Sequence, residues 1–419
     1  MSGAPATHVV GAGVAGLAAA WALSGQEGAG RGRRVVLHEA TPMAGGRARS
    51  LPDGTDNGTH ALLGANPAAL RFLAEIGARD GWVEPEPDRL PVLDLESGAL
   101  RRVSLSPLGW WRRDARPPGL DATGLLALLD AARPGRRATV AEAFARHPVL
   151  LRGFVEPLTL AALNTTPEEA GLRRLGAVLR RMGRPGACRL YVAREGLGPD
   201  LVRPALAALA ARGVEIRLGD RLRALTLEGG RATALHFAGG TRPVEAGVVL
   251  ATPPWESARL LPGLRVPERH APILNLHYAH ASGAGPRFLG LLGGVAQWVL
   301  VRPGAVAVTV SAAAALLETP LEVLADRVWR EVHRAALAAA LPGPWPEALP
   351  SWRAVKEQRA TPLHTPDQPA PPPLLPLPNL ALAGDWMEPL LPATIEAATR
   401  SGLRAAAALA RALPKAATR

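Results

Sequence analysis

Cysteine is almost missing from this chain of 419 residues; Cys188 stands alone, which excludes an internal disulfide and points to a reducing compartment. Lysine is nearly as scarce. Lys356 and Lys415 are the only two, so the formal charge of +12 is an arginine charge. No basic run is interleaved with stacking aromatics, so a nucleic-acid partner is not expected, and the arginine surface suits anionic lipid better. Aromatic residues make up 4% of the chain, with Tyr191 and Tyr278 its only tyrosines. There is no apolar stretch of the length that spans a bilayer, no basic and then apolar leader, no fixed-period repeat and no metal-ligand spacing. These absences point to a cytoplasmic protein that binds no metal.

The most informative residues present are glycines. Gly11, Gly13 and Gly16 follow the apolar run His8, Val9, Val10 and open an apolar segment from Leu17 to Leu23, the order of strand, turn and helix in a dinucleotide site. Gly11 suits the tight turn, Gly13 the approach of backbone to a pyrophosphate, and Gly16 close packing of helix on strand. The helix N-terminus then offers unpaired N–H groups to phosphate. Val35, Val36 and Leu37 form a second buried strand ending near Glu39, whose carboxylate accepts from ribose hydroxyls and disfavours a 2′-phosphate. NADP is therefore not expected.

Beyond Glu39 come Gly45, Gly46 and Arg47, and far along the chain the apolar run Leu380 to Ala383 leads into Gly384 and Asp385. Both segments resemble fingerprints of the glutathione-reductase-type FAD families, especially the amine oxidase and phytoene desaturase branch. The resemblance implies FAD, with Gly45, Gly46 and Arg47 against the diphosphate and Asp385 accepting from a ribityl hydroxyl. It also implies a helix from Ala393 to Leu413, with Pro392 at its start, that presents Ala393, Thr394 and Ile395 to the flavin. Gly213 to Ile216 and Leu222 to Leu225 resemble the strand pair beside adenine, with backbone near Leu222 as a contact.

A chain of this length exceeds one core, and the motif positions imply an α/β protein whose domains interleave. Residues 1–78, 193–263 and 376–419 are expected to form a Rossmann-like FAD-binding domain. Residues 79–192 and 264–375 are expected to form an α+β substrate domain. The segment 362–378 is rich in proline and reads as an extended connector, while Ala205 to Arg212 and Leu321 to Ala340 read as amphipathic helices.

A narrower likeness covers most of the chain. The run Asp56-Asn-Gly-Thr-His60 resembles the Asp-Asn-Gly-Gln-His segment of the hydroxysqualene dehydroxylases, the squalene-associated FAD-dependent desaturases of hopanoid synthesis. So do Glu156 to Thr165, Gly293 to Trp298, Arg359-Ala-Thr361 and Leu391 to Glu396. Departures are Thr59 for the usual Gln, Ala397 where Gly is frequent, and Gln358 where Lys is common. The family implies reductive removal of an allylic hydroxyl, with FAD as hydride donor and an acid assisting the loss of hydroxide. His60 is the candidate acid, Asp56 the carboxylate that orients it, and Arg359 a candidate for organising polar groups or the flavin. Glu156 and Asn164 are read as structural, around a cap at Asn164 to Pro167.

The implied substrate is a lipid-like isoprenoid of about thirty carbons, which partitions into a bilayer by on the order of 20 kcal/mol. Peripheral contact at the inner face of the cytoplasmic membrane is therefore expected, with Leu105 to Pro117 and its Trp110 and Trp111 as the contact. The electron donor for FAD carries no signature in the chain. A carotenoid-type desaturase or isomerase shares the expected fold, and a non-enzymatic prenyl-lipid carrier would lack the flavin. An amine oxidase fits less well, because its aromatic cage needs more than Tyr191 and Tyr278.

Overall fold

A computed structural model describes residues 5–25, 34–87, 89–135, 137–283 and 285–414. Short strands with apolar residues on both faces come from distant parts of the chain and pair side by side. They run in the order Leu380–Leu382, Gly247–Leu250, Ala6–Val10, Arg34–His38 and Glu215–Arg217, every neighbour parallel. Such strands are buried above and below, as a parallel sheet requires. The helix Val14–Leu23 connects the first two strands and is buried along nearly its whole length. The C-terminal helix Ile395–Ala412 lies directly on it, since a Cβ on Gly402 would stand 2.1 Å from the Ala15 carbonyl oxygen. Beginning and end of the chain thus share one core.

The larger sheet has the order Trp352–Pro362, His270–Ala279, Ala305–Val310, Trp298–Arg302, Arg287–Leu292, Leu90–Asp94 and Leu100–Val103. All its pairings are antiparallel except that of Arg287–Leu292 with Leu90–Asp94. Alternation along His270–Ala279 divides its work. Leu274, Leu276 and Tyr278 pack with Trp329 of the helix Leu321–Ala338, whereas Asn275 reaches the opposite way to the Asn57 carbonyl, 3.2 Å distant. A third body is helical: Ala122–Ala131, Val140–Phe144, Glu156–Leu163 and Leu172–Met182 enclose Phe144, Leu150 and Phe154. Among the described residues no helix is long and apolar enough to cross a membrane.

One element starts later than expected. The C-terminal helix begins at Ile395, not Ala393, because Thr394 is its N-cap and accepts from the Ala397 amide at 3.2 Å. Pro392 and Ala393 stay outside the helix.

Candidate functional site

The first glycine turn is dictated by space. A Cβ on Gly16 would lie 1.8 Å from the Gly11 carbonyl oxygen, and Gly11 has φ +103° with Ala251 O 2.5 Å from an imagined Cβ. Gly13 differs. A Cβ there would meet only Gly46 Cα, at an ordinary 3.8 Å, so packing does not require its bareness. Gly13 and Gly45 form an isolated parallel bridge, with Gly45 N donating to Ala12 O at 2.8 Å. The two glycine loops therefore make a wall of naked backbone in front of the first helix N-terminus, whose opening amides have no partner within the helix. Glu39 closes the wall, accepting from Ala12 N at 2.9 Å and from the Thr41 amide and hydroxyl at 3.0 Å.

Arg47 does not stand as a lone cation for a diphosphate. Its Nη2 donates to both carboxylate oxygens of Asp385, at 2.7 and 2.8 Å, and its Nη1 donates to the Ala360 carbonyl. The chain supplies 337 intervening residues between these partners, and the second fingerprint is thereby tied to the last. Burial opposes the Arg47 charge, but Asp385 and then Glu357 outweigh it and raise the guanidinium above its usual range. Gly384, at φ +152°, must be glycine, because a Cβ would strike the Trp386 indole at 2.4 Å.

The approach to the C-terminal helix is clamped by residues that sequence reasoning missed. His364 Nε2 accepts from Ala393 N at 3.0 Å and its Nδ1 faces Gln368 Oε1 at 3.0 Å, so the amide oxygen fixes the neutral tautomer with the proton on Nδ1. Burial, then the charge of Arg174, pushes the His364 pKa down to about 3. Arg174 itself donates to the Leu391 carbonyl. The Ala393 amide is consequently engaged by His364 rather than free for a ligand. Glu396 is buried and accepts from Ala69 N at 2.9 Å, while its Oε1 has no hydrogen-bond partner and burial raises its pKa.

Asp56 does not orient His60. Its Oδ1 accepts from Ser50 Oγ and Leu197 N, both at 2.8 Å, and its Oδ2 accepts from Arg302 at 3.1 Å, which occupies the carboxylate with structural partners. The ring is oriented by the Gly58 carbonyl, 3.1 Å from Nδ1. A carbonyl only accepts, so the proton sits on Nδ1 and Nε2 points away from that bond. Burial lowers the His60 pKa, opposed by the Gly58 bond and the charge of Asp56 and assisted by Arg47. Beside it, Thr59 Oγ1 is buried without a partner, at the position where Gln is usual.

Among the described residues Arg359 has no ion-pair partner. It is exposed on the strand Trp352–Pro362 and stacks over the Trp255 ring, 4.9 Å from its centroid. His270 meets the same ring edge-on at 5.1 Å and feels the charges of Arg359, Arg47 and Asp385, so these groups share one neighbourhood. Leu222 is buried, pairs with Phe237 across the antiparallel ladder, and its carbonyl accepts from Arg259 at 3.2 Å. Asn164 is structural as expected, but as a clamp across the fold. It ends its helix at φ +49°, donates to Ala271 O and Thr361 Oγ1, and accepts from Ala312 N.

The residues present fit a flavin dinucleotide: a side-chain-free wall, a helix N-terminus behind it, acidic groups at Glu39 and Asp385, and a second helix N-terminus beyond. The chain matches the flavin containing amine oxidoreductase family over residues 14–284 and 298–410. It is 40% identical to hydroxysqualene dehydroxylase of Rhodopseudomonas palustris, over 95% of this chain and 97% of that one. The hydroxysqualene dehydroxylase of Zymomonas mobilis is 34% identical, over 96% and 98% of the two chains. Among solved structures, an oxidoreductase from Methanosarcina mazei has a TM-score of 0.70 at 16% identity, over 95% of this chain and 99% of that one. Cyclohexylamine oxidase from Brevibacterium oxydans has 0.69 at 16%, over 97% and 99%. At such identities the likeness concerns the fold.

Proposed function

The chain belongs to the flavin-containing amine oxidoreductase family, and on that premise we propose that it is an FAD-dependent enzyme that, like the hydroxysqualene dehydroxylases it resembles, removes the hydroxyl of hydroxysqualene, giving squalene and water. Bound and reduced, FAD supplies a hydride. The remaining work belongs to the chain. The turn of Gly11, Gly13 and Gly16 and the first helix N-terminus take the diphosphate, with Gly45 and Gly46 as the facing wall. Glu39 takes the adenosine ribose, backbone at Leu222 the adenine, and Asp385, held by Arg47, the ribityl chain. Amides at Thr394 and Ile395 face the ring, where a helix N-terminus favours negative charge. The described residues within 1–78, 193–263 and 376–419 form the cofactor part and the other described residues the substrate part, residues 1–4, 26–33 and 415–419 of the first set lying outside the described residues.

The overall change replaces C–O by C–H: a hydride and a proton enter, and the hydroxyl leaves as water. His60 is the proton donor. With Nδ1–H committed to Gly58 O, its protonated ring has one free N–H, on Nε2, to give to the departing oxygen. A depressed pKa makes that imidazolium a stronger acid, at the cost of its population near neutrality. Arg359, stacked on Trp255, places a cation at the edge of the site. The FAD is re-reduced by an external two-electron donor. The substrate's hydrophobicity brings the protein to the cytoplasmic face of a membrane as a peripheral partner.

The observation that carries this reading is the Arg47–Asp385 pair, which joins the fingerprints into one site beside the Asp56 to His60 segment. Anaerobic, photoreduced protein mixed with hydroxysqualene tests it. One squalene per flavin, with matching flavin reoxidation, is expected. New conjugated double bonds formed from phytoene-like polyenes, without squalene, would replace it by the carotenoid desaturase reading, and a colourless protein would remove the cofactor altogether.

A further inference from the structure

Among the described residues, half of the large apolar side chains left in solvent fall within one stretch of the chain. Between residues 108 and 149, Leu108 is 68% exposed, Trp111 77%, Leu126 65%, Leu129 57%, Val149 61% and Leu125 42%. They share an underside. Trp110, Leu120, Leu128, Leu150 and Phe154 form a single buried cluster, so the 107–113 loop, the helix Ala122–Ala131 and the turn Pro148–Leu150 all stand on one small core. Val149 abuts the approach to that helix, its Cβ lying 2.8 Å from an imagined Cβ on Gly119. The helix turns Leu128 and Ala131 inward and Leu125, Leu126 and Leu129 outward, and an outward leucine face has no use in an isolated monomer. The expectation of a paired tryptophan anchor needs correction: Trp110 is buried, donates Nε1–H to Ser104 O at 2.8 Å and packs edge-on against Phe154. Only Trp111 points out.

The stretch of chain that carries this face is rich in arginine, although Arg152 is paired with Asp94 and Glu96. Residues 101–152 hold ten arginines against four acidic residues. At the root of the loop a cleft of about 750 Å³ is lined by Arg89, Arg102 and Arg112. Its one acidic lining residue, Glu86, is held by Arg287 at 2.6 Å, and Asp114 is shared between Arg89 and Arg112. Exposed leucine and tryptophan bordered by excess arginine is complementary to an anionic bilayer surface.

We propose that this face docks the protein on anionic lipid, with Trp111, Leu126, Leu129 and Val149 entering the acyl boundary and the arginine cleft taking a phosphate-bearing headgroup. The proposal rests on the reading of the substrate as a membrane-borne isoprenoid. The same helical body reaches the cofactor region at its other end. Asn164, closing the helix Glu156–Leu163, binds Thr361, the neighbour of Ala360, whose carbonyl receives Arg47. Docking therefore fixes the site's distance from the bilayer through direct contacts.

Flotation of the flavin-loaded protein with phosphatidylglycerol vesicles and with phosphatidylcholine vesicles tests this. Binding to the anionic vesicles, weakened by salt, is expected. The double variant Leu126→Asp with Leu129→Asp should lower it by on the order of tenfold or more, and Trp111→Ser, in a separate segment, should lower it less. Both variants should keep FAD and keep wild-type squalene formation from substrate in detergent micelles, which checks folding. Unchanged vesicle binding in both variants overturns the proposal. So does a wild-type dimer that ignores vesicles and is dissolved by the leucine substitutions, which would make the face a contact between copies. Variant-sensitive vesicle binding by a wild type that makes no squalene in micelles keeps the docking surface and removes the substrate reading.

Discussion

The glycine wall and the Asp56 to His60 segment border the same site but are built on opposite rules. Gly11, Gly16, Gly45 and Gly46 act by lacking side chains, and most of them have protein backbone where a methyl would go. In the neighbouring segment the side chains do the work, and their partners come from elsewhere: Ser50, Leu197 and Arg302 for Asp56, and Asn275 for the Asn57 carbonyl. The first region fails by geometry, all at once. The second fails by degrees, because each bond can be removed alone.

The contrast is sharpest at Gly16. Gly16→Val puts carbon inside the Gly11 carbonyl and should abolish both flavin binding and stable folded protein, read as soluble yield and flavin absorbance. Next in size, His60→Ala should keep the yellow colour and lose turnover by ~10²-fold or more. A variant with full turnover would strike His60 from the mechanism. The proton-donor role also sets a sign: only the protonated ring donates, so turnover should rise as pH falls through a midpoint below 6.5, and a profile rising toward alkaline pH would contradict it. Asp56→Asn should act on stability before chemistry. It leaves the half-buried Arg302 without its carboxylate, an expected loss of about 1–3 kcal/mol in urea unfolding with a smaller change in turnover than His60→Ala. A comparable turnover loss in the two variants would show that the pair acts as a unit after all.

The smallest effect belongs to buried histidines on both sides of the site. Burial holds the pKa of His8 and His277 at about 4 and that of His364 at about 3, against an ordinary 6.5. The unfolded chain therefore takes up protons first. Their contribution to stability is full above about 6.5 and declines as pH falls toward 4, with the His364 share lost down to about 3. His277 Nε2 has no partner, so His277→Leu should flatten that decline in urea midpoints measured from pH 7 to pH 4. An unchanged slope would show that His277 already titrates normally.

What could be read in advance follows the same division. Gly11, Gly16 and Gly384 announce themselves because backbone geometry is local, and the parallel strands because burial on both faces leaves short all-apolar runs. The partner of Asp56 did not, since nothing near residue 56 indicates that Arg302, on a strand of the other sheet, takes its second oxygen. His364 was hidden in a proline-rich connector, where a single histidine looks like a solvated loop residue until the Ala393 amide is found against it. Trp110 and Trp111 looked equivalent as neighbours, yet one faces the helical core and the other solvent. The helix start at Ile395 was legible in hindsight: Thr394 is a better N-cap than Pro392 is a first residue once the Ala397 amide accounts for its hydroxyl.

X-ray diffraction from crystals grown with FAD tests the central claim most directly. The account predicts flavin density between the Gly11 to Gly16 turn and Asp385, with the ring at the Thr394 and Ile395 amides and His60 on the substrate side. Density elsewhere, or Asp385 turned away from the ribityl chain, would contradict it.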